Sequence, residues 1–335
     1  MRLIQPTAQQ SLWLLQTIKY VMGDMGTGPA RALIAASQRH WLRTDWDWDD
    51  LAPLAEDKSA ACLPTLIPTP HTRQPLIQAL VILMVAEGRR DWQTFTRIRQ
   101  LARTLQVKGP ALRYLWLWCR GADRLLALDV YWHGFIAQKY RFEWRRRGWG
   151  WLLNGMGTYQ GLWQNQALTQ RYQQLQFLPS NTLGYQFWQF YQRHHYAFPG
   201  APKGIHEGLL FHDMTHVLGG FDTSPEGELL AVALMVGYQQ TGDPLASLLF
   251  IILQQHAGVQ AGLLSQAQQG WLSQPAVADR FIQALLVGSQ MRVDLSQHWD
   301  PWEVMEEPVD RLRRRYNLCF SMNDVHRSPI SLTSE

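Results

Sequence analysis

The chain has 335 residues, a hydrophobic fraction of 46% and a formal net charge of +4 at pH 7. That hydrophobic fraction is ordinary for a protein that buries a core, so the composition excludes a disordered chain and leaves room for one large domain or two. The mild positive charge permits attraction to anionic lipid or nucleic acid but requires neither.

Cysteine spacing and the apolar runs indicate the compartment. Cys62, Cys119 and Cys319 lie far apart and form no Cys-x-x-Cys pair, which argues against a disulfide framework and a thiolate metal site. The apolar run nearest to membrane length, residues 246–264, is broken by two glutamines and a histidine, so we predict no membrane-spanning helix. Residues 1–21 lack a signal or transit pattern, and we therefore expect a cytoplasmic, bacterial protein.

The first 70 residues are predicted to form a helical hairpin and a Pro-rich linker. Apolar residues at helical spacing predict one helix over residues 11–22 and another over residues 30–42. Prolines then punctuate residues 53–75, as is typical of a linker.

Residues 71–174 are predicted to form a second helical unit. Pro75 is placed in the first turn of a buried helix that continues to residue 86, and Asp91 is placed as the N-cap of the next helix. Residues 72–140 weakly resemble the TerB-like tellurite-resistance helical domain, chiefly in the apolar helix that ends Ala86-Glu87-Gly88. The acidic metal-binding residues of that domain are not evident here.

Residues 131–153 of this unit interleave cations with aromatic rings. Such a surface suits an anionic membrane, because rings rest at the headgroup layer while guanidinium groups meet phosphate. A helix with inward-packed rings and solvated arginines is an equally good interpretation. Stacking on single-stranded nucleic acid is the weakest one, and we expect no nucleic-acid partner. The residues are Lys139, Arg141, Arg145, Arg146 and Arg147 among Trp132, Tyr140, Phe142, Trp144, Trp149 and Trp151.

A candidate metal-binding pattern follows in the C-terminal half. On a helix, His212 and His216 lie one turn apart on one face and can chelate a metal ion. The Gly-rich residues 219–227 end that helix and place Glu228 in the first turn of the next, where it can supply a third ligand. Asp213 lies about 100° round the helix from His212 and can either ligate or orient.

The donor set does not determine which metal binds. Two imidazoles with one or two carboxylates suit zinc, and they also suit ferrous iron. A satisfied histidine pair on the surface or in the core is the alternative to a metal site. His206 is predicted to face away from the pair, and His194 and His195 have no partner spacing.

These residues resemble the coenzyme Q (ubiquinone) biosynthesis protein four family. That family has a His-Asp-x-x-His motif with a Glu twelve residues after the second His, which is the interval from His216 to Glu228. Residues 178–184 contribute to the resemblance, and residues 299–318 look like the closing helix of the family.

The resemblance covers residues 175–320 and leaves residues 321–335 as a predicted flexible tail. The chain departs from the family at Thr215, where an aromatic residue is common, and at an extra proline in residues 300–303. Neither departure removes a predicted ligand.

The resemblance implies a peripheral protein of the bacterial inner membrane that binds a polyprenyl-quinone intermediate or another prenyl lipid. The family is associated with replacing the ring carboxylate of a polyprenyl-hydroxybenzoate by hydroxyl. His212, Asp213, His216 and Glu228 are the predicted metal ligands, with zinc as the cofactor and iron as the alternative, and Asp213 is also the candidate catalytic proton carrier.

The alternative is a non-catalytic lipid-binding protein that organises other quinone-biosynthesis proteins around a structural metal, and a homodimer also remains open. A zinc peptidase is rejected because Asp213 stands where such enzymes place a longer Glu as general base.

The predicted fold is all-α. Long apolar helices joined by short Gly and Pro breaks predict a multi-helix bundle with the metal site between two helices. Residues 229–238 and 245–253 are apolar nearly all round, so they form either a filled core or the walls of an apolar slot for a lipid tail.

Overall fold

The computed structural model describes residues 5–150, apart from 24 and 55–69, and residues 160–319, apart from 263 and 264, together with residues 153 and 157. This part of the chain contains 14 α-helices and no β-strand, which confirms the all-α prediction. Most of the predicted linker and all of the predicted tail lie outside the described residues.

Seven of the described helices lie in the N-terminal half. A π-turn at Gln38–Leu42 extends the second of them. Gly134 lies between the sixth and the seventh, and this joint requires glycine because a Cβ would lie 2.7 Å from the Val130 carbonyl oxygen. The helices are α1 (Ala8–Met22), α2 (Pro29–Ser37), α3 (Pro70–Ala86), α4 (Trp92–Thr104), α5 (Ala111–Cys119), α6 (Asp123–His133) and α7 (Phe135–Arg147).

The prediction that α3 begins near Pro75 is wrong, since the helix begins at Pro70 and contains Pro75. The first four N–H groups of a helix have no partner within it, so a proline at the sixth position removes only one hydrogen bond. Most of the apolar residues that follow are nevertheless buried, as their all-round hydrophobicity predicts.

The other seven helices of the described residues lie in the C-terminal half. His206 does not start a helix there; its Nδ1 accepts from the Gly208 N–H at 3.0 Å and caps a 3₁₀ turn that leads into α10. The helices are α8 (Gln166–Gln173), α9 (Leu183–Arg193), α10 (Leu210–Gly219), α11 (Pro225–Tyr238), α12 (Pro244–Gln255), α13 (Pro275–Gln290) and α14 (Val309–Tyr316).

Helix α11 occupies the centre of the molecule. Every side chain from residue 229 to residue 238 is buried, and α11 packs against α10, α12 and α13. Helices α11 and α13 approach closely at two glycines, because a Cβ on Gly288 would overlap the Leu234 carbonyl oxygen and one on Gly237 would overlap the Leu285 carbonyl oxygen.

One hydrophobic core joins the two halves. Helix α13 packs on α2, and α12 packs on α3 and α6, so buried contacts cross both predicted unit boundaries near residues 70 and 174. The boundaries themselves stay predictions.

The two ends of the region 175–320 meet in space. The Leu183 N–H donates to the Glu307 carbonyl at 2.9 Å, and the Gly184 N–H donates to the Met305 carbonyl at 2.8 Å. The Arg313 side chain donates to the Leu218 carbonyl at 2.8 Å and fixes α14 beside α10. The C-terminal segment therefore supports the helix that carries both histidines of the candidate metal site.

An apolar cavity of about 140 Å³ lies among α1, α2, α3, α12 and α13. Helix α12 contributes Leu245 and Leu248 to its lining, whereas none of the described lining residues belongs to α11. Of the two apolar segments considered for a slot, residues 245–253 therefore contribute to this cavity and residues 229–238 do not.

None of the described helices combines the length and the apolar character that a bilayer-spanning segment requires.

The close contact of α11 with α13 makes a stability prediction. Replacing Gly288 with Ala should lower the free energy of unfolding by about 1–3 kcal/mol, because the new methyl group meets a backbone carbonyl and the two helices must separate. Denaturant titration measures this. The control is Gly150→Ala, since a Cβ at Gly150 meets nothing within 4 Å; equal stability of the two variants would contradict the packing argument.

Candidate metal centre

A tight turn between α10 and α11 sets up the site. Gly220 ends α10 in the left-handed conformation with φ 70°, and the Ser224 hydroxyl caps α11 by accepting from the Gly227 N–H at 3.1 Å. Gly227 packs against Asp222 so closely that a side chain has no space. Glu228 consequently lies in the first turn of α11, which confirms its predicted position.

Three side chains converge across this turn. The Nε2 atom of His212 lies 3.3 Å from Oε2 of Glu228, and Nε2 of His216 lies 3.4 Å from Oε1 of the same carboxylate. One ligand atom from each residue falls within 4.8 Å of the others, so the three can hold one metal ion. The side chain of His216 is 1% exposed, whereas those of His212 and Glu228 are 22% and 25% exposed, so the group opens to solvent on one side.

The bonding of His216 fits a metal site. Both of its ring nitrogens are buried and have no hydrogen-bond partner among the described residues. Buried polar atoms in native proteins are rarely left without a partner. A metal ion at Nε2 would give one of the two nitrogens a bond, and two imidazoles with a carboxylate suit zinc or ferrous iron.

Asp213 lies behind His212, outside the converging group. Its Oδ1 atom is 3.3 Å from Nδ1 of His212, and its Oδ2 atom accepts from the Tyr191 hydroxyl at 2.5 Å. Burial first, and then Asp213, raise the pKa of Tyr191 well above its usual range, so the phenol keeps its proton and donates. Of the two predicted roles of Asp213, ligand or orienting group, the geometry favours orientation of the imidazole.

Aromatic rings from two other helices enclose the histidines. Phe135 of α7 stacks on His212 with ring centroids 6.2 Å apart, and Phe190 of α9 stacks on His216 at 5.8 Å. Phe190 also contacts the ring of His194 at 4.8 Å. The sequence pattern gives His194 no partner, yet the fold places it beside the site.

Sequence reasoning missed the contributions of Tyr191 and Phe135. Aromatic residues recur at helical spacing in residues 183–193, but such spacing cannot show that the buried Tyr191 lies against α10. No local signal links Phe135 to residues 77 positions later in the chain.

Thr215 occupies the position where the resembled family often has an aromatic residue. Its hydroxyl donates to the Phe211 carbonyl at 2.7 Å and accepts from the Tyr238 hydroxyl at 2.8 Å. An aromatic side chain from α11 therefore stands beside this position, and the departure disturbs no candidate ligand.

The charges of the three side chains are strongly coupled. Burial lowers the pKa of His212, but the carboxylates of Glu228 and Asp213 more than reverse this effect and raise the pKa to about 10. Burial raises the pKa of Glu228, but the two histidines hold that pKa well below its usual range. Without metal, a protonated His212 thus pairs with an ionised Glu228.

No family model matches the chain, and no curated protein matches it. The resemblances to the coenzyme Q protein four family and to the TerB-like domain therefore stay predictions, based on the residues quoted for them.

Removal of any one candidate ligand, whether buried or partly exposed, should abolish metal binding. Replacing His216 with Ala should remove stoichiometric metal, as should Glu228→Gln at the more exposed edge, while circular dichroism shows the same helix content. Elemental analysis of the purified variants measures the metal, and His133→Ala on α6 is the control. Full metal occupancy in either ligand variant would end the assignment.

Metal binding should depend on pH in a known direction. Since His212 holds a proton up to about pH 10, each bound ion must release that proton, and the apparent affinity should rise about tenfold per pH unit between about pH 6 and about pH 8. Calorimetry in two buffers of different ionisation enthalpy counts the protons released. A metal affinity that does not change with pH would contradict the ion pair between a protonated His212 and Glu228.

Proposed function

We propose that the protein is a metal-dependent enzyme of prenylated-quinone synthesis, which replaces the ring carboxylate of a polyprenyl-hydroxybenzoate by hydroxyl. The observation that supports this proposal is the converging group of His212, His216 and Glu228, which is partly open to solvent. Three protein ligands leave a coordination position for substrate, as in catalytic rather than structural sites. The proposal places the protein in the cytoplasm, peripheral to the inner membrane.

A bound ion would supply Lewis-acid chemistry if it is zinc, and electron transfer with dioxygen as well if it is iron. The residues of the chain provide the surroundings. Asp213, held by Tyr191, fixes the Nδ1 side of His212 so that Nε2 faces Glu228. Phe135 and Phe190 each cover one face of an imidazole, which keeps water from that face and strengthens electrostatic interactions in the site.

The proposed reaction balances with dioxygen as oxidant. The bond between the ring and the carboxylate breaks, carbon dioxide leaves, and a carbon–oxygen bond forms at the same ring carbon. The ring loses two electrons overall. One oxygen atom enters the product, and the other is reduced to water by a two-electron reductant, such as a reduced flavin or nicotinamide.

A second candidate function is a non-catalytic organiser of other quinone-biosynthesis proteins. The cavity among α1, α2, α3, α12 and α13 supports it, because none of His212, His216 and Glu228 belongs to the cavity lining. An apolar chain held there would need no metal chemistry, and the metal would join α10 to α11.

Turnover of a defined substrate tests the proposal. The metal-loaded protein, supplied with polyprenyl-hydroxybenzoate, air and a two-electron reductant, should form the hydroxylated, decarboxylated product seen by mass spectrometry. Asp213→Asn should lower the rate by roughly 10- to 100-fold, because the imidazole loses its orienting carboxylate. Asp50→Asn, at an exposed position in the N-terminal half, is the control.

Two other outcomes would count against catalysis. A metal-loaded protein that converts no substrate but retains a prenyl lipid through purification would favour the organiser. A protein that neither converts nor retains any prenylated ring compound would overturn both candidate functions.

A further inference from the structure

The positive charge of the chain is concentrated in one part of it. Residues 89–150 carry a net charge of +10 from fourteen Lys and Arg and four Asp and Glu, whereas the whole chain carries +4. The rest of the chain is therefore acidic overall. Attraction of an anionic partner to residues 89–150 is consequently much stronger than the total charge suggests.

The four acids in this region are already neutralised. Their partners are Arg89 for Asp91, Arg90 for Asp123, Arg113 for Asp129, and Lys139 together with Arg147 for Glu143. In the described part of the chain, Arg124, Arg141 and Arg145 form no ion pair. Arg124 and Arg145 are exposed and available to an external anion, whereas Arg141 is half-buried and offers only the N–H groups that its bond to the Trp132 carbonyl leaves.

A row of exposed apolar side chains lies beside these cations. Leu125, Leu128 and Trp132 of α6 are 59%, 62% and 56% exposed. Their spacing of three and four residues puts them on one face of the helix, while Leu126 and Val130 on the opposite face are fully buried. Contiguous exposure of large apolar side chains marks an interaction surface.

Cations from two helices border this row. Arg124 precedes Leu125 on α6 and is exposed. The Arg141 guanidinium of α7 lies 5.6 Å from the Trp132 ring centroid and donates to the Trp132 carbonyl at 2.8 Å. Arg145 follows Arg141 by one helical turn and lies on the same side of α7.

We propose that this surface, the docking face formed by Arg124, Leu125, Leu128, Trp132, Arg141 and Arg145, binds an anionic lipid leaflet. The two leucines and the indole enter the boundary between headgroups and acyl chains, and the three guanidinium groups meet lipid phosphates. The sequence segment 131–153 contains only half of this face, and the leucines of α6 extend it.

The chemistry of the face favours lipid over two other occupants. A nucleic acid could stack its bases on Trp132 or on the guanidinium planes, but it would leave the exposed Leu125 and Leu128 without an apolar partner. A second copy of the chain, related by a two-fold axis, would bring the same cationic surface against itself and would be repelled. Lipid satisfies the leucines and the arginines at the same time.

The docking face is also close to the candidate metal centre. Phe135 begins α7 three residues after Trp132, and its ring stacks on His212 at 6.2 Å. Docking would therefore bring the metal centre near the leaflet, a consequence that rests on the proposed function. The lipid proposal itself does not, because the face lies outside residues 175–320.

Vesicle flotation of the full chain tests the proposal. Wild-type protein should float with phosphatidylcholine vesicles that contain roughly 30% phosphatidylglycerol, much less with phosphatidylcholine alone, and less as salt is added. The double variant Leu125→Ser/Leu128→Ser should bind anionic vesicles at least tenfold more weakly. Phe177→Ser, which removes a side chain that is 81% exposed elsewhere, is the control and should bind like wild type.

A second pair of variants separates charge from apolar contact. Arg124→Glu/Arg145→Glu should lose binding to anionic vesicles, whereas Arg311→Glu/Arg314→Glu on α14 makes the same charge change and should retain it. All these positions are exposed, so circular dichroism should show unchanged folding.

Three results would overturn the proposal. The first is that wild type and variants all fail to float with anionic vesicles, or that they all float equally well. The second is a wild-type dimer that the leucine variant converts to monomer in light scattering, which would make the face an interface between copies. The third is oligonucleotide binding that the arginine variant abolishes while vesicle binding is absent.

Discussion

The contact between Glu228 and the two imidazoles is the interaction on which the candidate site depends. A partly buried carboxylate is strongly destabilising unless opposite charge or a metal ion compensates it. His212 and His216 provide that compensation, and they reach Glu228 only because the turn after α10 is tight and α11 is fixed in the core. Close packing of α11 on α13 at Gly237 and Gly288 thus holds α11, and with it Glu228, in position.

The arrangement around the two histidines is asymmetric, and this asymmetry bears on function. His212 is partly exposed and oriented by Asp213 and Tyr191, whereas His216 is buried with both nitrogens lacking a hydrogen bond. One imidazole is therefore positioned by a polar network, and the other depends on what binds between them. The group is therefore open to solvent on the His212 side, which is where the proposed substrate would enter.

The two halves of the chain contribute different things to one body. The C-terminal helices supply the converging ligands, and the N-terminal helices supply the cationic, partly apolar surface. Phe135 joins them physically, because it starts α7 and stacks on His212. The two proposals, metal chemistry and lipid docking, therefore concern parts of the molecule that are in direct contact through this ring pair.

The sequence by itself determined the helices, the chelating spacing of His212 and His216, and the place of Glu228 in the next first turn, because local periodicity and glycine turns govern these features. It misplaced the start of α3, since a proline near a helix N-terminus removes so little. Only the tertiary structure decided that Asp213 faces away from the metal group, that Tyr191 and Phe135 adjoin it, and that the leucines of α6 stay exposed. Those outcomes depend on which helix faces pack together, and contacts between distant segments leave no signal in local spacing.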